Sequence, residues 1–327
     1  LALLGADAGL VALGKTYLRI ILIGTPFFMS NYSVTAFARN DNATSIAMAG
    51  SLAGSVWNIV FDYIFIFPVG LGFSGAALAT AFCPIVTISV CMIHYFGKNC
   101  HIGFKWKKLS VRHLISCCQL GVSAFVGEIS SAVTAFVFNM LILGITGSVG
   151  VAAYGIVANL SIVGMCIFNG IAQGAQPLIS ESFGRGESGH VRKYLRWGMN
   201  STITIEIVMI ALVWLFTDPL VAIFNSENNA MLLQYAHTGL QLYFLGFLFA
   251  GVNIMLVAYF SATANARPAI IGSLMRGAIA IVICAIVFSR IFGMNGVWLS
   301  FFASELLTFV VILILSRKKE RVTNDDI

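Results

Sequence analysis

Apolar residues in this chain come in long unbroken blocks, not in the short alternating or striped patterns of a water-soluble fold. Nine blocks stand out: Tyr17–Phe37, Ser45–Phe67, Ser74–Phe96, Leu114–Ile145, Val149–Ile179, Trp197–Phe216, Thr238–Tyr259, Ala269–Phe288 and Val297–Leu315. Each is close to, or longer than, the roughly 20 residues a helix needs to cross a hydrocarbon core of about 30 Å. The fourth and fifth are long enough to tilt or to project beyond the bilayer. Barrel strands would read as short segments of alternating hydrophobicity, and lipid tolerates no unpaired backbone, so the blocks read as helices. The pattern predicts an all-α polytopic membrane protein with nine transmembrane helices.

Composition agrees. Hydrophobic residues make up 59% of the chain and charged residues only 10%, with a mean hydropathy of +0.92; soluble domains carry about 25% charged residues. The few charges are placed asymmetrically. With the loop Lys98–Arg112 in the cytoplasm and the spans alternating from there, 16 of the 19 basic residues fall on the cytoplasmic side, leaving Lys15, Arg19 and Arg290 outside. This is the positive-inside bias. It accounts for the formal charge of +6 through topology and contacts with anionic lipid head groups, without nucleic acid. The expected organisation is three helices over residues 1–97, a basic cytoplasmic loop over 98–113, a six-helix bundle over 114–317 and a cytoplasmic tail over 318–327. The seven cysteines form no Cys-x-x-Cys pair and the five histidines are scattered, so neither a disulfide framework nor a metal site is expected.

The chain also repeats itself. At a shift of 222 residues, Leu18, Gly24, Phe27, Asn31, Ala36, Ala47 and Gly50-Ser51-Leu52 coincide with Leu240, Gly246, Phe249, Asn253, Ala258, Ala269 and Gly272-Ser273-Leu274. After a one-residue adjustment, Gly72, Gly75 and Leu78 meet Gly293, Gly296 and Leu299. Matched halves are a hallmark of secondary transporters. Three spans precede the second copy and none the first, so matching halves predict about 110 further residues and three helices ahead of residue 1.

Particular strings resemble the multidrug and toxic-compound extrusion (MATE) family. They are Val151-Ala-Ala-Tyr-Gly-Ile-Val-Ala-Asn159, Phe168-Asn-Gly-Ile-Ala-Gln-Gly-Ala-Gln-Pro177, Phe183-Gly-Arg-Gly186 followed by Val191-Arg-Lys-Tyr-Leu-Arg196, Asn58-x3-Asp62, and Gly72-x2-Gly75 opening the third span. The resemblance runs over essentially the whole chain and is closest to the bacterial and archaeal branches. It implies a V-shaped, pseudo-symmetric carrier of two bundles that exports organic cations or drugs in exchange for protons or sodium, with no cofactor beyond that ion. Small organic cations and membrane lipid would be its partners, the inner or plasma membrane its place, and a monomer its state.

Four acids lie inside predicted spans: Asp62, Glu128, Glu206 and Glu305. A carboxylate at the centre of a membrane helix costs roughly 2.5–3.5 kcal/mol on the insertion scale, so each needs a reason to be there. Glu128 is the leading cation-coupling candidate, with Ser123, Ser130, Ser131 and Thr134 near it in sequence and a functional Glu implied in this helix by the resemblance. Asp62 is the second; Asn58 stands one turn before it, as expected of a polar pair at a helix end. Glu206 and Glu305 have no polar company at helical spacing beyond Thr202 and Thr204, or Ser304 and Thr308, and read as structural. The sodium-binding pattern of the family also adds aspartates in spans that here contain no acid, which tilts the reading toward protons. Asn139, Tyr154, Asn159, Asn169, Gln173, Gln176 and Asn253 are expected to line the substrate cavity. Gly170, Gly174 and Pro177 beside that polar stripe suggest a distorted helix.

One alternative is a lipid-linked oligosaccharide flippase of the same superfamily. It would call for a cavity rich in Arg and Lys, whereas these spans are nearly free of them apart from Arg19, Arg276 and Arg290 near their ends. No nucleophile elbow, phosphate loop or paired acids flanking a loop is present, so the chain is not expected to be an enzyme.

Overall fold

The computed structural model describes residues 8–97, 100–102, 110–225 and 229–325. The chain divides into two compact units, Leu1–Lys108 and Leu109–Ile327. The first contains α1 (Ala8–Asn40), α2 (Thr44–Ile66) and α3 (Gly72–Tyr95). The second contains α4 (Val111–Gly184), α5 (Ser188–Leu215), α6 (Thr217–Phe224), α7 (Ala230–Phe244), α8 (Phe247–Ala262), α9 (Ala266–Leu274), a π-helical turn (Met275–Ile279) and α10 (Ala280–Asp325). No strand occurs among the described residues.

The nine apolar blocks overrun these helices by at most one residue at their ends, but their junctions are tighter than the sequence suggests. The 74-residue α4 holds two spans joined at Gly147, where φ is 68° and ψ −157°. In the same way α10 is broken at Gly293, with φ 59° and ψ −132°. Both breaks need the left-handed region, which glycine enters without the Cβ clash other residues meet. The seventh block is the pair α7 and α8, bent by 46° at Leu245–Gly246. By contrast, helical backbone angles run through Pro177, so the expected distortion lies at Gly147 and at the π-turn instead.

Packing follows the repeat found in the sequence. Gly72 and Gly293 both have positive φ, at 54° and 59°. Ala47 and Ala269 are both fully buried. A Cβ at Gly50 would lie 3.2 Å from Cys91 Sγ, and one at Gly272 would lie 3.2 Å from Ile312 Cδ1; positions 91 and 312 are themselves repeat mates at the adjusted shift of 221. Gly24 meets Ala81 as Gly246 meets Phe302, again at equivalent positions. Lipid tails are as apolar as leucine, so helices here associate through close approach of small residues rather than by escape from water. The conserved internal pattern of glycine and alanine is thus the packing code of both copies.

The second unit has an aromatic core around the α7–α8 bend. Tyr243 stacks on Phe301 at 4.3 Å, Phe244 on Phe247 at 4.6 Å, and Trp298 and Phe138 flank Tyr154. α8 is the most enclosed helix, with Phe247, Ala250, Gly251, Asn253, Ile254 and Met255 all buried.

A side chain at Gly54 would run into Thr87 and the Cys83 carbonyl of α3. Gly54→Leu should therefore pry α2 from α3 and lower the midpoint of thermal unfolding in detergent, by the equivalent of about 1–3 kcal/mol of overpacking. Gly144→Leu, whose Cβ meets nothing within 4 Å, should not lower the midpoint.

Candidate functional site

The polar core of the second unit is assembled on one turn of α8. Asn253 is fully buried there. Its Nδ2 donates to the backbone oxygen of Glu305 at 2.9 Å and to Glu305 Oε2 at 2.7 Å. The other carboxylate oxygen, Oε1, accepts from Arg276 Nε at 2.8 Å. Arg276 Nη2 also lies 3.3 Å from Met165 Sδ. Glu305 is 1% exposed, and both of its carboxylate oxygens are engaged. Just before Asn253, Glu206 of α5 reaches the backbone of the same helix, its Oε1 accepting from the Val252 N–H at 3.0 Å. Glu206 is also 1% exposed. Gly251 makes this approach possible, because a Cβ there would stand 2.7 Å from Glu206 Oε1.

Glu206 and Glu305 thus have partners that spacing along their own helices does not reveal: these come from α8 and the π-turn. Arg276 is likewise no loop charge setting topology, but the cation of a buried ion pair. The π-turn that carries it is also where Thr134 Oγ1 donates to the Gly277 carbonyl at 3.0 Å and where Ser130 packs against Gly277. Extra-wide turns of this kind free backbone groups for such bonds and recur at functional sites.

The repeat sharpens the point. Arg276 corresponds to Gly54 and Glu305 to Pro84, whereas Asn253 corresponds to Asn31. Both asparagines keep a buried Oδ1 with no hydrogen-bond partner among the described residues. The ion pair is thus present in one copy only, on a frame the two copies share.

The other predicted residues are distributed as follows. Glu128 is exposed on the first half of α4, and no described side chain pairs with it. The hydroxyls near it in sequence are otherwise engaged: Ser131 Oγ donates to the Gly127 carbonyl, Thr134 to Gly277, and Ser130 is buried against Gly277. Asp62 is half-buried with its Oδ1 unpartnered. The Asn58–Asp62 pair does not form, since Asn58 Nδ2 turns to Thr80 Oγ1 at 3.4 Å. Asn159, Asn169 and Gln173 share the exposed face of the second half of α4, and Gln176 is half-buried beside them. Asn139 lines an apolar groove of about 330 Å³ with Phe136, Met140, Leu143, Ser148 and Val151. Tyr154, at 8% exposure, and Asn253 belong instead to the interior of the second unit.

The MatE family model matches residues 1–64 and 123–286, more than half of the chain. The chain belongs to the MatE family. Multidrug export protein MepA of Staphylococcus aureus (strain MSSA476) is 30% identical over 333 residues, covering 99% of this chain and 71% of MepA. The MepA of Staphylococcus saprophyticus is 27% identical over 326 residues, with the same coverage. Among solved structures, a MATE protein in complex with MaL6 superposes with a TM-score of 0.90 at 21% identity, over 98% of this chain and 72% of that one. An outward-facing multidrug resistance MATE family transporter of the MOP superfamily gives 0.90 at 20% identity, with the same coverage. These likenesses establish the MATE transporter fold. The chain is a multi-span MATE transporter and not an enzyme.

Removing one member of a buried ion pair strands the other charge, at about 3–5 kcal/mol. Arg276→Met should accordingly lower stability in a mixed-micelle unfolding titration by an amount of that order. Arg276→Met combined with Glu305→Leu should recover most of the loss. Additive losses in the double variant would show that the two side chains do not act as a pair.

Proposed function

We propose that this MATE chain exports drug-like organic cations and flat aromatic compounds in exchange for protons, from a cell membrane in which its C-terminus is cytoplasmic. The carrying observation is its similarity, over 99% of its length, to proteins named for multidrug export. The same names weigh against the flippase alternative, as does the engagement of Arg276 by Glu305, which leaves that guanidinium committed within the protein.

An antiporter needs an acid that can change partners: it holds a proton or cation at one stage and releases it when substrate arrives. Glu305 is badly suited, because Arg276 and Asn253 occupy both of its oxygens. Glu128 suits the task, being an acid within an apolar span, exposed and uncommitted. Asp62 offers a second unengaged carboxylate oxygen in the first unit. The exposed amides of Asn159, Asn169 and Gln173 supply donors and acceptors for a polar substrate edge, and the groove at Asn139 an apolar surface for its rings.

A second reading rests on Glu206. It is as buried as Glu305 but is met by a backbone N–H rather than by a cation. A carboxyl so placed is suited to carry a proton, since an unpaired charge in that interior is costly. Arg276 neutralises Glu305, so the α8 site adds at most one further negative charge, which favours proton over sodium coupling.

Expressed in an efflux-deficient bacterium, the protein should extrude ethidium, and a protonophore should stop it. Export driven by an imposed sodium gradient alone would replace protons with sodium in this scheme. Glu128→Gln should abolish export while leaving folded protein in the membrane, and full transport by that variant would remove Glu128 from the mechanism. If Glu206→Gln alone abolishes export, the coupling acid is the one beneath α8.

A further inference from the structure

The turn between α1 and α2 and the chain just beyond α3 bring together side chains far apart in sequence. Asp41 Oδ2 lies 2.8 Å from His94 Nε2 and accepts from the His101 backbone N–H at 3.0 Å. Its other oxygen, Oδ1, lies 3.4 Å from His101 Nδ1. Cys100 completes the group: the ligating atoms of Asp41, His94 and Cys100 all fall within 4.8 Å of one another. The Asp41 and His94 side chains are each only 7% exposed, whereas that of His101 is open at 85%.

We infer that Asp41, His94, Cys100 and His101 form a binding site for a zinc-class transition-metal ion at this end of the first unit. The donor set is one carboxylate oxygen, one thiolate sulfur and two imidazole nitrogens. Those ligand types, four in number, suit tetrahedral Zn²⁺, and its bond lengths of about 2.0–2.3 Å require neighbouring ligand atoms roughly 3.3–3.8 Å apart. The 2.8 Å between Asp41 Oδ2 and His94 Nε2 and the 4.8 Å limit on the Asp41, His94 and Cys100 set straddle that range. His101 lies outside that set, with Nδ1 3.4 Å from Asp41 Oδ1, and its open side chain is the ligand that must swing in on binding. Sulfur and imidazole also select against Mg²⁺ and Ca²⁺, which take oxygen. Electrostatics fits: once Cys100 gives up its thiol proton to solvent, two anionic ligands and two neutral ones cancel a dication, so the occupied site carries no net charge beside Arg39 in a strongly basic stretch of sequence. A bound ion would fasten the chain at Cys100–His101 to the α1–α2 turn. The charge pattern assigns this end to the cytoplasm, where thiols stay reduced and free to ligate.

No local spacing reveals this site, because its ligands are not in a compact motif. Asp41 is 53 residues from His94, and only the packing of α3 alongside α1 in the same direction, which brings their C-terminal ends together, closes that gap.

The test uses the whole chain, purified in detergent, stripped with a chelator and titrated with Co²⁺. One equivalent should produce a thiolate-to-cobalt charge-transfer band and visible bands of tetrahedral intensity, and Zn²⁺ should bleach both. Cys100→Ser should remove the charge-transfer band. His94→Ala and Asp41→Asn should weaken Zn²⁺ binding, read against a chromophoric chelator, by no less than the roughly 10–100-fold that even outer-shell changes cost. Circular dichroism and elution volume check that each variant is folded. As a readout free of mutation, Zn²⁺ should protect Cys100 of the unaltered chain from alkylation, mapped by mass spectrometry. The site is overturned by a folded chain that gives no thiolate band, by a band that survives Cys100→Ser, by unchanged affinity in His94→Ala, or by unprotected Cys100 at saturating Zn²⁺.

Discussion

A backbone amide in hydrocarbon has no water to turn to, so each span must close its own hydrogen bonds and can depart from the helix only where the chain supplies a substitute. That constraint governs where this molecule bends. Glycine at 147 and 293 reverses the chain in a single residue, and between α7 and α8 the break falls at Leu245–Gly246. The π-turn at Met275–Ile279 is the one departure of another kind among the described residues, and the Gly277 carbonyl there is met by Thr134. Irregular backbone and polar side chains thus occur together, each satisfying the other.

The same economy explains why the two copies of the repeat resemble one another so closely in their small residues and so little elsewhere. Where helices approach to within a methyl group, as at Gly50 with Cys91 and Gly272 with Ile312, the position admits little variation. The copies also differ at close contacts: where the first has Gly54 packed against Thr87 and Cys83, the second has Arg276, and Glu305 stands where the first has Pro84. Either residue without the other would leave a lone charge, so Arg276 and Glu305 belong together. Asn31 and Asn253 occupy the polar position common to both copies.

Much of this was legible in the sequence. The nine spans, the all-helical class and the shift relating Gly72 to Gly293 were all visible, because block length and glycine spacing report directly on bilayer thickness and close packing. The candidate site was less so. Glu128 and Asp62 drew attention as acids within spans, but their supposed hydroxyl and amide partners bond elsewhere. Glu206 and Glu305 showed only hydroxyls such as Thr202 and Thr308 on their own helices, and Arg276 counted only as a topology charge; spacing along one helix sees nothing across from it. The grouping of Asp41 with His94, Cys100 and His101 was out of reach for the same reason: tertiary proximity leaves no trace in local spacing.

The junction at Gly147 has a practical side. Two spans totalling 74 residues pass from one to the next through a single residue, so this hairpin presents no loop to a protease, an antibody or an inserted epitope. Determining which face of the bilayer it occupies will call for single engineered thiols and impermeant reagents, since any tag long enough to detect would have to be built into the helices themselves.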